Sequence, residues 1–411
     1  MNKKKRNLRK MEKFLRINKK RKGNSALFLI LFACALIVGF IFAYREFRKT
    51  PDKQKYTPYE QDGGSFYVTG KLLYYDNECS PVKKDDIWVM YQNLNAADQN
   101  VYDLFLDLVE NREDSDYFSC IIVSDSKLKE IGDSHFWDVF HAMRSDHPEY
   151  FFLISDSPRI NCTVTRSQGY NIYKYSMKEP KSWESEQISA FNAATEEFMS
   201  DIDLEVSDEE IELQIHDKLI DLVSYNRELY INSMSDDRRF DLGYTAYSAL
   251  VSDSAGVDNY AVCNGYALAF ELLMHKAGIP CGIITGKAYG ETMGNTEGGG
   301  HAWNVVKIDD RWYEVDTTWD DFDPTEIEAD YSVVELIKGE EEFLFNMRHH
   351  YFNRRTVEME NLQATEATVL NIPGYQPFNL RGTTSHIRDS KMAGDISEGE
   401  LFLSRLIPIA Q

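Results

Sequence analysis

The chain has 411 residues, of which 43% are hydrophobic and 13% aromatic. This apolar content excludes a disordered chain and is enough for one large core or two smaller ones. The formal net charge of -22 favours basic or neutral partners over nucleic acid, since nucleic acids bind basic surfaces.

The first 50 residues differ sharply in charge from the rest. They carry 15 Lys and Arg and two acidic residues, so that 30 basic and 65 acidic residues remain beyond position 50. Residues 25–44 are uncharged and have the length of a helix that crosses a bilayer. Because basic flanks stay in the cytoplasm, the sequence predicts a basic cytoplasmic segment at 1–24, a transmembrane helix at 25–44 and an outward-facing body at the cell membrane. A cleaved signal peptide is the alternative.

The body begins with a polar segment at 45–65 that contains Pro and Gly and is typical of a linker. An N-terminal α/β region is predicted at 66–205. Apolar spacing predicts a helix around 101–109 and another at 185–203, and apolar runs predict strands at 120–123 and 150–154.

A second region is predicted at 206–325, followed by a C-terminal extension at 326–411. It opens with a helix at 209–225. Apolar residues follow Cys263 at helical spacing, and Gly278 and Pro280 form a stop signal, so a helix of roughly four turns should begin at Cys263. A helix N-terminus stabilises a thiolate. Gly265 is expected to leave room for a substrate chain.

Two strand-like runs, 301–308 and 311–319, flank Asp309 and Asp310, a pair that tolerates a tight turn. If these two residues form the loop, Ile308 lies opposite Arg311 and the same register continues along both strands. Trp303 then lies opposite Asp316, and His301 and Asp316 are diagonal neighbours on one face. An imidazole and a carboxylate in those positions can form a hydrogen bond.

A thiol at a helix start and a His/Asp pair on a neighbouring sheet are the groups that nucleophilic acyl transfer needs. We therefore predict Cys263, His301 and Asp316 as the catalytic residues. His301 would accept the thiol proton, and Asp316 would orient the imidazole and stabilise its charged form. A thioester would form and then be resolved by an amine or by water.

Four segments carry a resemblance to a known family: AVCNGYALAF, GIPC, HAWNVVKIDDRWYEVDTTWDD and IHDKLIDLVSYN. They resemble the core of the transglutaminase-like superfamily over about residues 210–325. The resemblance implies an α+β, papain-like fold with the nucleophile helix packed on an antiparallel sheet. It also implies an oxyanion hole from the backbone N–H of Cys263 and an upstream donor, for which Tyr247 is the candidate.

The sequence predicts neither a metal site nor a cofactor. Five cysteines lie outside the predicted span, which leaves at least one unpaired within the chain, and none has zinc-ligand spacing. Asp320, Asp321 and Asp323 should form a solvated loop. His349 and His350 should pack locally or lie at the surface, and the glycine-rich segment before His301 is expected to be a loop that gates the site.

Three functions fit this pattern. The first is an extracellular, membrane-anchored acyl transferase that acts on protein or peptide amides. The second is a cysteine peptidase or amidohydrolase that uses the same triad with water as the acceptor. The third is a binding module without catalysis, displayed at the cell surface.

Overall fold

The computed structural model describes residues 59–61, 64–66, 72–75, 86–111, 119–125, 133–153, 160–167, 169–177, 184–233, 242–251, 259–290, 295–324, 331–363, 369–370, 378–379, 383–392 and 396–411. The predicted segments 1–24 and 25–44 lie outside these residues. No helix within the described part of the chain is long and apolar enough to span a bilayer.

The chain divides into two units, Met1–Val68 and Thr69–Gln411. In the first unit, strand β1 (Tyr59–Gln61) pairs antiparallel with β2 (Gly64–Phe66). This pair overlaps the end of the segment predicted as a linker, so regular structure begins earlier than the polar composition indicated.

The second unit contains both helices and strands, in agreement with the predicted α+β class. Its strands are β3 (Leu72–Tyr75), β4 (Ser119–Asp125), β5 (Ile160–Ser167), β6 (Tyr170–Met177), β7 (Val223–Tyr225), β8 (Asn259–Ala261), β9 (Cys281–Gly290), β10 (Asn295–Ile308), β11 (Arg311–Val315), β12 (Val369–Leu370), β13 (Phe378–Asn379) and β14 (Thr384–Arg388). Its helices are α1 (Val89–Asn93), α2 (Ala96–Glu110), α3 (Asp133–Asp146), α4 (Glu184–Ser200), α5 (Asp208–Leu222), α6 (Arg227–Ser233), α7 (Ala246–Leu250), α8 (Cys263–Ala277), α9 (Thr317–Asp320), α10 (Tyr331–Lys338), α11 (Glu341–Arg348), α12 (Thr356–Met359) and α13 (Glu398–Arg405).

The N-terminal region is built on a mixed sheet with the strand order β3-β4-β6-β5. Helix α2 packs on it through its apolar stripe, and the Phe105 ring lies 4.9 Å from that of Tyr175 on β6. The Asn95 side chain caps this helix by accepting from the Asp98 N–H. The predicted helix around 101–109 and strand at 120–123 are confirmed.

The strand predicted at 150–154 is wrong. A 3-10 helix occupies Pro148–Leu153 instead. Proline fits the first position of a helix because its missing N–H would have no partner there. The aromatic residues that resembled a strand are buried within this helix, where Phe151 and Phe152 face the core.

The sheet that carries His301 is antiparallel, with the order β11-β10-β9-β14. Asp309 and Asp310 both have positive φ, 48° and 62°, and Ile308 pairs with Arg311 as predicted. The expected glycine loop is partly strand, because β10 begins at Asn295 and pairs with β9 across an irregularity between 295 and 299.

Helix α8 lies against this sheet and ends at Gly278, whose φ of 80° suits glycine. Tyr266, Phe270 and Leu273 on α8 are completely buried. Burial of each such side chain stabilises the fold by roughly 1.5–3 kcal/mol. Asn304 on β10 donates through Nδ2 to the Ala267 carbonyl at 2.9 Å, which fixes the helix on the sheet.

Candidate active site

Cys263 is the first residue of α8, as predicted, and is 8% exposed. Its sulfur is a free thiol. The short strand β8 leads into the helix and pairs in parallel with β7, which fixes the entry of the chain. The unpaired N–H groups at a helix start favour a negative charge, so the position suits a thiolate nucleophile.

His301 and Asp316 meet as predicted. His301 Nε2 lies 2.7 Å from Asp316 Oδ2, and the same imidazole is close enough to Cys263 for the charge of the thiolate form to act on it. Because Nε2 is taken by the carboxylate, Nδ1 is the nitrogen left for the thiol. The structure therefore brings all three predicted residues together in the order thiol, imidazole, carboxylate.

The second strand of the hairpin is shorter than expected. It ends at Val315, because Asp316 caps α9 and its Oδ1 accepts from the Trp319 N–H at 3.1 Å. Aspartate is a favoured N-cap residue. The carboxylate thus reaches His301 from a helix cap and not from the paired strand position that the register indicated.

His386 is a fourth residue of the site, which the sequence reasoning missed. It lies on β14, is 1% exposed, and its Nε2 is 2.8 Å from Asp316 Oδ2. Its ring packs against Trp319, with a centroid distance of 4.6 Å, and against Trp303 at 5.2 Å. Asp316 Oδ2 therefore accepts hydrogen bonds from two histidines.

The two histidines differ in charge. Burial alone would lower the pKa of His301, but the negative charges of Asp316 and Cys263 outweigh it and raise this pKa to about 10. Burial lowers the pKa of His386 and outweighs the hydrogen bond to Asp316. Burial alone would raise the pKa of Asp316, yet the charge of His301 and the two imidazole hydrogen bonds hold it well below its usual range. An imidazolium at His301, a neutral His386 and a carboxylate at Asp316 follow.

One expectation about the surroundings of Cys263 changes. A side chain at Gly265 would meet Ala261 and the Gly243 carbonyl within 3 Å, so Gly265 allows close chain packing and does not leave room for substrate. Tyr247 packs against Phe151, with ring centroids 4.7 Å apart.

Two other tyrosines lie near the nucleophile. Tyr225 pairs with Ala261, two residues before Cys263. Burial raises the pKa of Tyr225, and the charge of Cys263 raises it further. The same two causes raise the pKa of Tyr230.

The predicted acidic loop is solvated only in part. Asp320 is completely buried and accepts from the Tyr351 N–H at 2.9 Å. Asp321 accepts from the Tyr266 hydroxyl at 2.6 Å, whereas Asp323 is exposed. The buried aspartate belongs to α9 and supports the helix that Asp316 begins.

The donor atoms of His301, Asp316 and His386 lie within 4.8 Å of one another. Two imidazoles and a carboxylate are ligands that suit zinc. His301 and His386 each hydrogen-bond to Asp316 Oδ2. His301 also lies next to the thiol, so His386 is one additional histidine beside the catalytic triad.

Known proteins resemble parts of this chain. Residues 200–317 match the family model described as the transglutaminase-like superfamily. Kyphoscoliosis peptidase from Mus musculus and that from Homo sapiens are each 41% identical over 61 residues, which cover 14% of this chain and 9% of the relative. The chain thus spans about a tenth of the length of these curated relatives.

A solved structure titled as a TGase shares 13% identity with a TM-score of 0.26, and the match covers 49% of this chain and 51% of that one. The family match includes the positions that bring the nucleophile, the imidazole and the carboxylate together. Residues 200–317 therefore belong to the transglutaminase-like superfamily, and Cys263, His301 and Asp316 lie within this core.

Proposed function

We propose that this chain is a cysteine-dependent acyl transferase that acts on protein or peptide amides through a thioester. The observation that carries the proposal is the grouping of Cys263, His301 and Asp316, with 2.7 Å between the imidazole and the carboxylate and the thiol next to the same imidazole. The same groups at the start of a helix can both attack a carbonyl and protonate its leaving group.

In the first step the Cys263 thiolate attacks the carbonyl carbon of the amide, and the charge moves to the carbonyl oxygen. The His301 imidazolium then gives its proton to the departing amine, the C–N bond breaks, and a thioester remains on Cys263. An acceptor amine or water next attacks the thioester while His301 takes its proton. Collapse releases the product and restores the thiolate beside the imidazolium.

The second candidate is a cysteine peptidase or amidohydrolase, in which water is the acceptor. It is supported by the short segment shared with kyphoscoliosis peptidase. The triad serves both reactions equally, because the acceptor enters only after the thioester has formed.

Thiol reactivity tests the proposal. The full-length chain is treated with an iodoacetamide probe, and the labelling rates of Cys263 and Cys281 are compared by peptide mass spectrometry. Cys281 is the internal control because it is fully buried and desolvation raises its pKa well above the usual value. We expect Cys263 to label more than about tenfold faster. Equal rates would favour the third alternative, a binding module without catalysis.

The acceptor is tested separately. Candidate protein amides are incubated with the chain, with and without a primary amine, and the products are analysed by mass spectrometry. Incorporation of the amine that is lost in Cys263→Ala supports transamidation. Cleavage or deamidation without incorporation supports the hydrolase.

We also propose that residues 25–44 anchor the chain and that the catalytic core faces outward. The uncharged span behind a basic tip supports this. Protease added to intact cells should remove the core and leave the basic tip protected. A core that resists protease until the cells are lysed contradicts the orientation.

A further inference from the structure

A second cluster of metal-ligand side chains lies outside the triad. It consists of His216 and Asp217 on α5 and His349, which follows α11, and their donor atoms lie within 4.8 Å of one another. His216 Nδ1 is 3.0 Å from Asp217 Oδ1, and His349 Nε2 is 2.7 Å from the same oxygen. We propose that this cluster binds a zinc ion.

In each histidine, the ring nitrogen that faces away from Asp217 also has a hydrogen-bond partner, and this partner prepares the ring as a ligand. His349 Nδ1 is 2.7 Å from the Phe345 carbonyl, and His216 Nε2 is 3.3 Å from the Asp320 carboxylate. Each partner can only accept, so each outer nitrogen carries the proton. A carbonyl or carboxylate behind the imidazole is the usual support of a metal-bound histidine.

The inner nitrogens of both rings meet the same oxygen, Asp217 Oδ1, with His216 Nδ1 at 3.0 Å and His349 Nε2 at 2.7 Å. A zinc ion placed between these three groups would take the place of the proton in each contact.

The geometry and surroundings suit zinc. Zinc–ligand bonds of about 2.0–2.2 Å in a tetrahedron place donor atoms roughly 3.3 Å apart, so the contacts at 2.7 and 3.0 Å need small outward movements. The Asp217 side chain is 41% exposed, which leaves a path for the ion and for a water ligand. Arg348 is held by Asp221 at 2.5 Å, which offsets its charge.

A bound ion would join two parts of the chain. His216 and Asp217 lie on the core helix α5, whereas His349 belongs to the C-terminal extension. His216 is also bonded to Asp320, the last residue of the short helix that Asp316 caps. The ion would therefore fix the extension to the core and support the helix that presents the catalytic carboxylate.

Zinc titration of the metal-free, full-length chain tests this inference. We expect one ZnCl2 equivalent to bind by calorimetry, Co²⁺ to give the visible absorption of a tetrahedral site, and zinc to raise the melting temperature. His349→Gln and Asp217→Asn should each weaken zinc binding by tenfold or more and abolish the shift in melting temperature. Magnesium chloride should have no effect, since imidazole ligands disfavour it.

The control variant is His386→Gln, which removes a ligand from the other His/Asp group and should leave zinc binding intact. Loss of zinc binding in His386→Gln alone would assign the ion to the triad and overturn the inference. So would absent binding in the wild-type chain, or unchanged binding in both cluster variants. Far-UV circular dichroism of the two variants separates ligand loss from unfolding, and Asp217→Asn, at an exposed side chain, is the milder change.

Discussion

The Asp316 side chain accepts three hydrogen bonds in the site. Its Oδ1 caps α9, and its Oδ2 accepts from His301 and His386. A carboxylate that accepts several hydrogen bonds in a buried site keeps its charge. This charge orients His301 and raises its pKa, so a protonated imidazole lies beside Cys263.

Asp316→Asn tests the electrostatic part of this role. Removal of the carboxylate charge should lower the pKa of His301 by more than one unit from about 10, because burial then acts against the imidazolium with less opposition. Histidine-selective NMR across pH 6 to 11 measures this pKa. In the wild-type chain the ring should stay protonated until pH nears 10. An unchanged titration in the variant would mean that Cys263 alone supports the charge.

His386 should act as a positioning residue through Asp316. His386→Leu removes one hydrogen bond to a charged group, worth about 1.5–3 kcal/mol, so turnover or the Cys263 labelling rate should fall roughly tenfold to a hundredfold. His386→Gln keeps an N–H donor and should recover most of the rate. A purely structural role predicts similar losses in both variants, with matching losses in stability.

The residues of the site differ in how far the sequence reveals them. Cys263 follows from a helix start, and His301 with Asp316 follows from a hairpin whose turn fixes the register. His386 contacts Asp316 across 70 positions, and the pairing of β14 with β9 has no local signal. The proposed zinc ligands also lack a local sequence signal, because His216 and His349 are brought together only by the tertiary fold.

At the scale of elements, β14 completes the catalytic sheet from the C-terminal extension. It pairs with β9, and Gly286 on β9 has His301 on one side and Arg388 on the other. A side chain at Gly286 would meet the Ile387 carbonyl at 2.2 Å. The absence of a side chain lets the two strands approach at the point where His386 must reach Asp316.

The strands of this sheet also carry a buried ion pair, Arg388 on β14 and Glu314 on β11. Arg388 donates from Nε at 3.0 Å and from Nη2 at 2.7 Å to Glu314 Oε1, while Trp303 Nε1 donates to Oε2 at 2.6 Å. Thr356 also donates to this carboxylate. Both charged side chains are about 1% exposed, so neither can rely on water if its partner is lost.

Arg388→Met should therefore lower the free energy of unfolding by about 3–5 kcal/mol, because it leaves a buried carboxylate without its counterion. Urea denaturation followed by circular dichroism measures the change. The control is Arg355→Met, which breaks the exposed pair with Glu358 and should leave the midpoint unchanged. Equal midpoints for both variants would show that the buried pair adds no stability.

The hairpin shows which parts of an element can be predicted. The register was correct because Asp309 and Asp310 tolerate positive φ and tie both strands to one loop. The end of β11 was wrong because Asp316 caps a helix, which competes with continuation of the strand. By its sequence, Asp316 could continue the strand or begin the helix. In the folded chain it caps the helix and also contacts His301 and His386.

At the scale of the whole molecule, a continuous cluster of buried apolar residues runs from Tyr75 to Ile407. It joins the N-terminal sheet, the transglutaminase-like core and the segment around Leu406 and Ile407 within the second unit. Hydrophobic periodicity identifies the members of such a cluster but not which element each one touches. Periodicity therefore predicts the order of the elements but not which regions of the chain pack against one another.

A buried acidic group also lies in the second unit, in a chain whose net charge is already -22. Glu212 on α5 is completely buried, and its Oε2 accepts from Asn353 Nδ2 at 2.9 Å. Burial raises the pKa of Glu212 from 4.5 to about 8, against the opposing effect of that hydrogen bond. The native chain therefore keeps a proton at neutral pH that the unfolded chain has lost.

This difference sets the sign of the pH dependence. Below pH 4.5 both states are protonated and Glu212 costs nothing; between about 4.5 and 8 only the native state holds the proton, so stability falls as pH rises, by about 1.4 kcal/mol per unit. Glu212→Gln removes this titration and should gain stability relative to the wild-type chain from pH 5 to pH 8. Urea denaturation at pH 5, 6.5 and 8 measures the gain, with Glu209→Gln, exposed on the same helix, as the matched control. A difference between Glu212→Gln and the wild-type chain that stays constant with pH would mean that Glu212 is ionised in the folded state.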